Sequence, residues 1–260
     1  MRDRLVSSKD YFEKYFDFNK SLTYACEQNI KQGLIPIERY YISENLIFQH
    51  NLELLIAQFS SGEEFSVLID QCTHCIDKLS EGWDDRLTKF RKGKPSVIYN
   101  HYYNNQYYYM MWLICFTVLL NVPNDKLQLV ENILLKDEIE DELLYYIISS
   151  STKKEYKYKE GSMYKPAKYL FSKKSIKNIK SSHVKKYLSN WYKRTNQFTW
   201  HGSGNNLEEV VKHHNVYPYF GYWCFEAAAI VAIQNIDDSS FRDHENYPKD
   251  LVEYYRSNFS

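Results

Sequence analysis

Apolar residues in the first eighty positions recur every three or four places, the repeat of an α-helix that buries one face. From Ser8 onward Tyr11, Tyr15, Phe18, Leu22 and Ala25 form one stripe, which Gly33 and Pro36 end. A second stretch opens at Ile37 and carries Tyr40, Tyr41, Leu46, Ile47, Leu54 and Ile56. It closes at Ser60-Ser61-Gly62, where local side-chain hydrogen bonds and a flexible glycine favour a turn. A third opens at Glu63 with Phe65, Leu68, Ile69, Cys72, Ile76 and Leu79. Three long amphipathic helices are predicted.

Gly93-Lys94-Pro95 breaks this pattern, and Tyr102 to Leu120 then runs apolar for longer than a typical strand, which predicts a buried central helix. Asn121 to Asp125 reads as a turn, with Pro123 fixing φ and Asp125 available to cap the next helix. Helices follow over Lys126–Leu135 and Asp137–Ile148, the second with acids at its positive dipole end. The stretch from Lys153 reads first as loop and then as a helix carrying Val184, Tyr187, Leu188, Trp191 and Tyr192. Trp200 to Gly204 is a loop, Tyr222 to Ile233 a buried helix whose alanines admit close neighbours, and the last helix begins near Tyr247-Pro248. With no strand alternation and no repeat, the pattern predicts an all-α chain of about ten helices in two merged regions, 1–122 and 123–260.

Composition adds an aromatic excess of 25 Tyr, 14 Phe and 5 Trp, much of it on helical stripes and so assigned to the core. Lys and Arg number 33 against 33 Asp and Glu, which removes the bulk electrostatic drive toward nucleic acid or anionic lipid. The charges are nevertheless segregated. Lys153 to Arg194 holds 14 bases against Glu155 and Glu160, while residues 131–152 hold six acids against Lys136 and residues 195–260 nine acids against four bases. The longest apolar run, Met110–Leu120, is shorter than the roughly 20 residues a spanning helix needs. No secretory leader is readable after the initial MRDRLVSSKD, so a cytoplasmic chain with reduced cysteines and no membrane association is expected.

Several candidate chemistries are weighed and set aside. Cys72-Thr73-His74-Cys75 lacks the second pair of ligands that a structural zinc site needs, and Cys72 lies on an apolar stripe. His213 and His214 are adjacent and point about 100° apart on a helix. The acids from Asp237 to Glu245 lack a calcium loop's glycine, since Arg242 stands in its place. No nucleophile elbow, phosphate loop, paired-histidine zinc motif or kinase signature is present. Neither metal, cofactor nor catalytic residue is expected, although a triad assembled in space is not visible in a sequence. The lysine stretch, interleaved with Tyr156, Tyr158, Tyr164, Tyr169 and Phe171, has the composition of a nucleic-acid surface. The competing reading is a solvated face balanced by the acidic flanks, so direct nucleic-acid binding stands as the alternative.

One long segment is specific. Tyr219-Phe220-Gly221-Tyr222-Trp223-Cys224-Phe225-Glu226-Ala227-Ala228-Ala229, then Asp237-Asp238-Ser239-Ser240-Phe241-Arg242-Asp243 and Tyr247-Pro248-Lys249-Asp250-Leu251, resembles the C-terminal signature of the PoNi immunity family. Asp10-Tyr11-Phe12, opening a long helix, resembles that family's N-terminal region more loosely. The resemblance implies an all-helical, non-enzymatic cytoplasmic protein that binds one cognate PoNe-type DNase toxin and blocks it in bacterial competition. The chain departs from the pattern at Cys224, where serine is more usual, and in its lysine-rich middle. Gly221, Tyr222, Trp223, Phe225, Glu226, Tyr247 and Pro248 are expected to be structural, with Glu226 paired to a base or a backbone donor. A DNase must present cations to phosphate, so an acidic face is expected on its inhibitor. Asp237, Asp238, Asp243, Glu245, Asp250 and Glu253 are the first candidates, and Glu138, Glu140, Asp141 and Glu142 a second patch. Capping and intramolecular pairing compete with that role.

Overall fold

The structure, a computed structural model, describes residues 1–6, 8–84, 90–92, 97–99, 102–157, 164, 167, 170 and 176–259. Packing divides the chain into two units, Met1–Asp84 with Thr199–Gly221 and Asp85–Phe198 with Tyr222–Ser260. This division crosses chain order: the central helix folds with the C-terminal residues, and 199–221 returns to the N-terminal helices.

The first unit is built on three consecutive antiparallel helices, α1 (Lys9–Lys31), α2 (Tyr40–Ser61) and α3 (Phe65–Gly82). The buried stripe of α1 is Phe12, Tyr15 and Asn19, rotated from the predicted one, with Tyr11, Phe18 and Leu22 at its margins. It faces α2, where Phe48, Leu52, Leu55, Ile56 and Phe59 are buried, and α3 closes over them with Leu68, Cys72, Ile76 and Leu79. Helix α1 ends in a Schellman motif: Gly33 at φ 66° donates its N–H to Ile30 O, and Leu34 donates to Asn29 O. Helix α2 ends the same way at Gly62, where φ is 92° and a Cβ would meet the Met1 nitrogen at 2.7 Å. Arg2 caps that end too, donating to Phe59 O at 3.1 Å and Glu63 O at 2.9 Å with its guanidinium over the Phe59 and Phe65 rings.

The returning segment is anchored by polar groups. Tyr11 donates its hydroxyl to Tyr219 O and accepts the Tyr219 N–H, Ser60 donates to Phe220 O, and Tyr219 donates to buried Asp3. Upstream of these anchors lies α8 (Leu207–His214), a helix the sequence reading missed: its stripe of Leu207, Val210 and Val211 is short and only half-buried.

In the second unit α4 (Asn104–Leu119) is the centre, buried all round from Tyr107 to its end, polar Thr117 included, whose hydroxyl donates to Leu113 O. Around it pack α5 (Asn124–Lys136), α6 (Glu142–Thr152), α9 (Phe225–Ile233) and α10 (Lys249–Phe259). Rings bind α4 to α9: Phe225 meets Trp112 edge-on and lies 4.4 Å from Phe116. Helix α7 (Ser181–Arg194) buries Val184, Tyr187, Leu188 and Trp191, the face predicted for it.

The all-α class holds with ten α-helices among the described residues, and one addition. Phe90–Lys92 (β1) and Val97–Tyr99 (β2) pair antiparallel in a short hairpin, three residues being too few to show alternation. Asp125 does not cap α5: Pro123 holds the cap position, and Asp125 lies in the first turn. The next helix starts at Glu142, later than predicted, because Asp141 has the extended cap conformation and accepts the Leu144 N–H.

Candidate partner-binding surface

The C-terminal acids gather around one buried carboxylate. Asp238, 6% exposed, accepts from Arg242 at 3.1 Å, Arg256 at 3.2 Å and Tyr247 at 3.0 Å. Those donors come from the turn before α10 and from α10 itself, so Asp238 fastens the end of the chain onto the unit and no partner can reach it. The Tyr247 phenol beside it is pushed far up, by burial first and by the Asp238 charge second. Glu253 pairs with Arg242, and Lys249 donates to Asp243 at 2.9 Å. Asp237 closes a turn by accepting the Ser239 N–H and hydroxyl, each at 3.0 Å, which holds its carboxyl below the usual range. Asp237, Asp243, Glu245 and Glu253 are exposed and Asp250 half-buried, so this set is a surface built over an internal ion cluster.

The second patch divides similarly. Asp141 is wholly buried as the α6 cap and accepts the Tyr107 hydroxyl at 2.9 Å, and Glu142 is 5% exposed. Glu138 is exposed and Glu140 half-buried. Just upstream, buried Asp137 accepts from Tyr102 at 2.9 Å. Buried Glu131 accepts from Tyr156 at 2.8 Å and Lys154 at 2.7 Å. Lys154 is thus one lysine of the basic stretch that meets an acidic flank, whereas Lys185, Lys186 and Lys193 stand exposed on α7.

The motif residues are internal. Gly221 has φ 125°, Trp223, Phe225, Tyr247 and Pro248 are buried, and Tyr222 is half-buried with its ring 4.8 Å from Tyr192. Glu226 is fully buried; a backbone N–H reaches its carboxyl, as expected, but its other donors are neutral side chains in place of a base. Tyr187 and Trp191, one turn apart on α7, both donate to its Oε1, at 2.7 and 2.8 Å. These donors are neutral and burial disfavours the ionised form, so the Glu226 carboxyl is raised above the ordinary glutamate value.

A rule emerges that the stripes concealed. In the second unit Glu131, Asp137, Asp141, Glu226 and Asp238 are all buried, and each accepts a hydrogen bond from a tyrosine hydroxyl. Part of the tyrosine excess therefore supplies donors to internal carboxyls, a role phenylalanine could not fill.

The two units also differ in charge. Within the first unit's limits the sequence has 16 acids against 9 bases, leaving 17 acids against 24 bases in the second. The neutral chain is thus one body of net −7 and one of net +7. Cys72 and Cys75 are buried core residues of α3, and the five cysteines form no disulfide. His213 meets Glu209 one turn away at 2.9 Å. Among the described residues no group of three or more His, Cys, Asp and Glu is placed to hold a metal ion, and no helix is long and apolar enough to cross a membrane.

Comparison with known proteins places this architecture. No curated protein matches the sequence. The crystal structure of protein PA2201 from Pseudomonas aeruginosa aligns over 98% of this chain and 90% of its own, at 16% identity and a TM-score of 0.59, a likeness of fold. Residues 139–251 match the family described as PoNe immunity proteins (PoNi), C-terminal, and residues 2–131 the family described as PoNe immunity protein (PoNi), N-terminal. With both halves matched in order along nearly the whole sequence, the chain belongs to the PoNi family of PoNe immunity proteins.

Proposed function

We propose that this protein protects the cell that makes it by binding a cognate PoNe-type DNase toxin in the cytoplasm and blocking its attack on DNA, with no catalysis of its own. The observation that carries this reading is the match of both PoNi regions along the chain. The fold agrees with it: acidic and apolar groups are held on rigid helices, and the buried polar groups of the second unit are bound to one another. Of the acids expected from the sequence to face the toxin, Asp237, Asp243, Glu245, Glu253 and Glu138 are exposed, and the others are half-buried or buried. Co-expression with the nuclease encoded beside it tests the proposal. Growth is restored and the two proteins co-purify if it is right; continued killing with no complex sinks it.

The second reading, DNA binding by the lysine-rich stretch, draws on Lys185, Lys186 and Lys193 along exposed α7 and on the net charge of the second unit. It requires DNA affinity that falls steeply with added salt, and no binding at low salt removes it.

A further inference from the structure

Resting on the proposal that the partner is a DNase, we propose that its docking face is the end of the first unit where α1 stops, α2 starts and α3 stops, an exposed apolar centre bordered by carboxylates. Three antiparallel helices bring those ends together, and Gly82 sets the closeness: a Cβ there would meet the Glu44 backbone and Cβ at 2.7 Å.

The apolar centre is open. Leu34 is 66% and Ile37 78% exposed in the α1–α2 connection, and Ile42 and Leu46, one turn apart on α2, are 39% and 37% exposed. Leu34 occupies the Schellman position that usually rests an apolar side chain on the last helical turn, against the residues five or six places back. Here those places hold Asn29 and Gln28, so the cap gives Leu34 no apolar seat on its own helix. Single exposed apolar residues are ordinary on a protein surface, but four grouped at one end of a helical array mark a contact surface.

The carboxylates choose the partner. Glu38 is exposed beside Ile37, and Glu44, two places from both Ile42 and Leu46, lies half-buried on the other side of α2, against the end of α3. Burial, and then the charges of Glu81 at the end of α3 and Asp84 just past it, raise the Glu44 carboxyl. Lys31 and Arg39 are exposed on either side of Leu34 and Ile37, and Lys78 is engaged by Glu81 at 2.8 Å, so the acidic margin is the one toward α3. With 16 acids against 9 bases in the unit, a basic phosphate-binding surface is drawn here, whereas the second unit repels it on balance. Apolar contacts at the centre would hold the complex and the acids would speed its formation.

The test measures affinity and association rate for a catalytically inactive form of the neighbouring nuclease, using wild type, the double variant Leu34→Ser with Ile37→Ser, Glu38→Lys, and Glu245→Lys as the second-unit comparator. All four positions are exposed, and unchanged circular dichroism confirms folding. The double variant is expected to bind at least about tenfold more weakly. Glu38→Lys is expected to slow association severalfold at low salt and less at high salt, with Glu245→Lys near wild type. A double variant that binds like wild type overturns the proposal while leaving the immunity reading intact. A wild type that neither binds nor inhibits overturns the immunity reading itself. If the double variant splits a wild-type dimer yet still binds nuclease, the face belongs to a second copy of the chain and the proposal fails.

Discussion

The two units handle acids in opposite ways. In the second, six carboxyls lie inside the protein among the described residues, five of them receiving a tyrosine hydroxyl, and the residual charge is basic. In the first, buried Asp3 receives Tyr219 in the same manner, but acids such as Glu38 face water and the balance is acidic. An acid count along the sequence therefore locates charge without locating surface. Asp141, Glu142 and Asp238 belong to acidic runs and to the interior at once.

The largest expected effect comes from emptying a buried acid site. Glu226→Ala leaves the Tyr187 hydroxyl and the Trp191 N–H without their acceptor in a fully buried place and opens a cavity. Chemical denaturation should show a loss of about 4 kcal/mol, against no more than about 0.5 kcal/mol for Glu38→Ala on the first unit. Equal losses would erase the contrast between the units. Tyr247→Phe should cost less, about 1 kcal/mol, because Asp238 keeps both arginines when the hydroxyl is gone.

A smaller and subtler effect lies in pH. The folded Glu226 carboxyl is raised, so between its ordinary value of 4.5 and its folded value the native state holds a proton that the unfolded chain releases. That contribution to stability is present in full below the ordinary value and is lost as pH rises through the window. Glu226→Gln, which cannot ionise, should flatten that fall, and an unchanged pH profile would mean the burial of Glu226 is not what sets it.

Helices were legible in the sequence wherever a stripe ran into a glycine or proline, as at Gly33 and Gly62, because periodicity and breakers are local facts. Helix α8 was not, since its stripe is a single short set, Leu207, Val210 and Val211, with no glycine or proline at either end to frame it. The start of α6 was misplaced by a run of acids in which several could cap, and the Leu144 N–H together with the distant Tyr107 hydroxyl selects Asp141. The same limit governs the candidate surface. Glu226 meets Tyr187 across 39 positions and Asp238 meets Arg256 across 18, pairings that spacing does not encode. Asp238 consequently looked like a surface acid, and reversing its charge would disrupt the core instead of probing an interface. The first unit's face was missed for a related reason: Ile37 and Leu46 were read as stripe residues of a helix, and only exposure distinguishes them from their buried neighbours Ile47 and Leu54.

The claim that the acidic unit, and not the basic one, receives the toxin is tested most directly by hydrogen exchange on the protein with and without an inactive form of the neighbouring nuclease. Binding should slow amide exchange in residues 31–46 and 78–84, with residues 237–253 little changed. Protection confined to 237–253, with 31–46 exchanging as in the unbound protein, would contradict it.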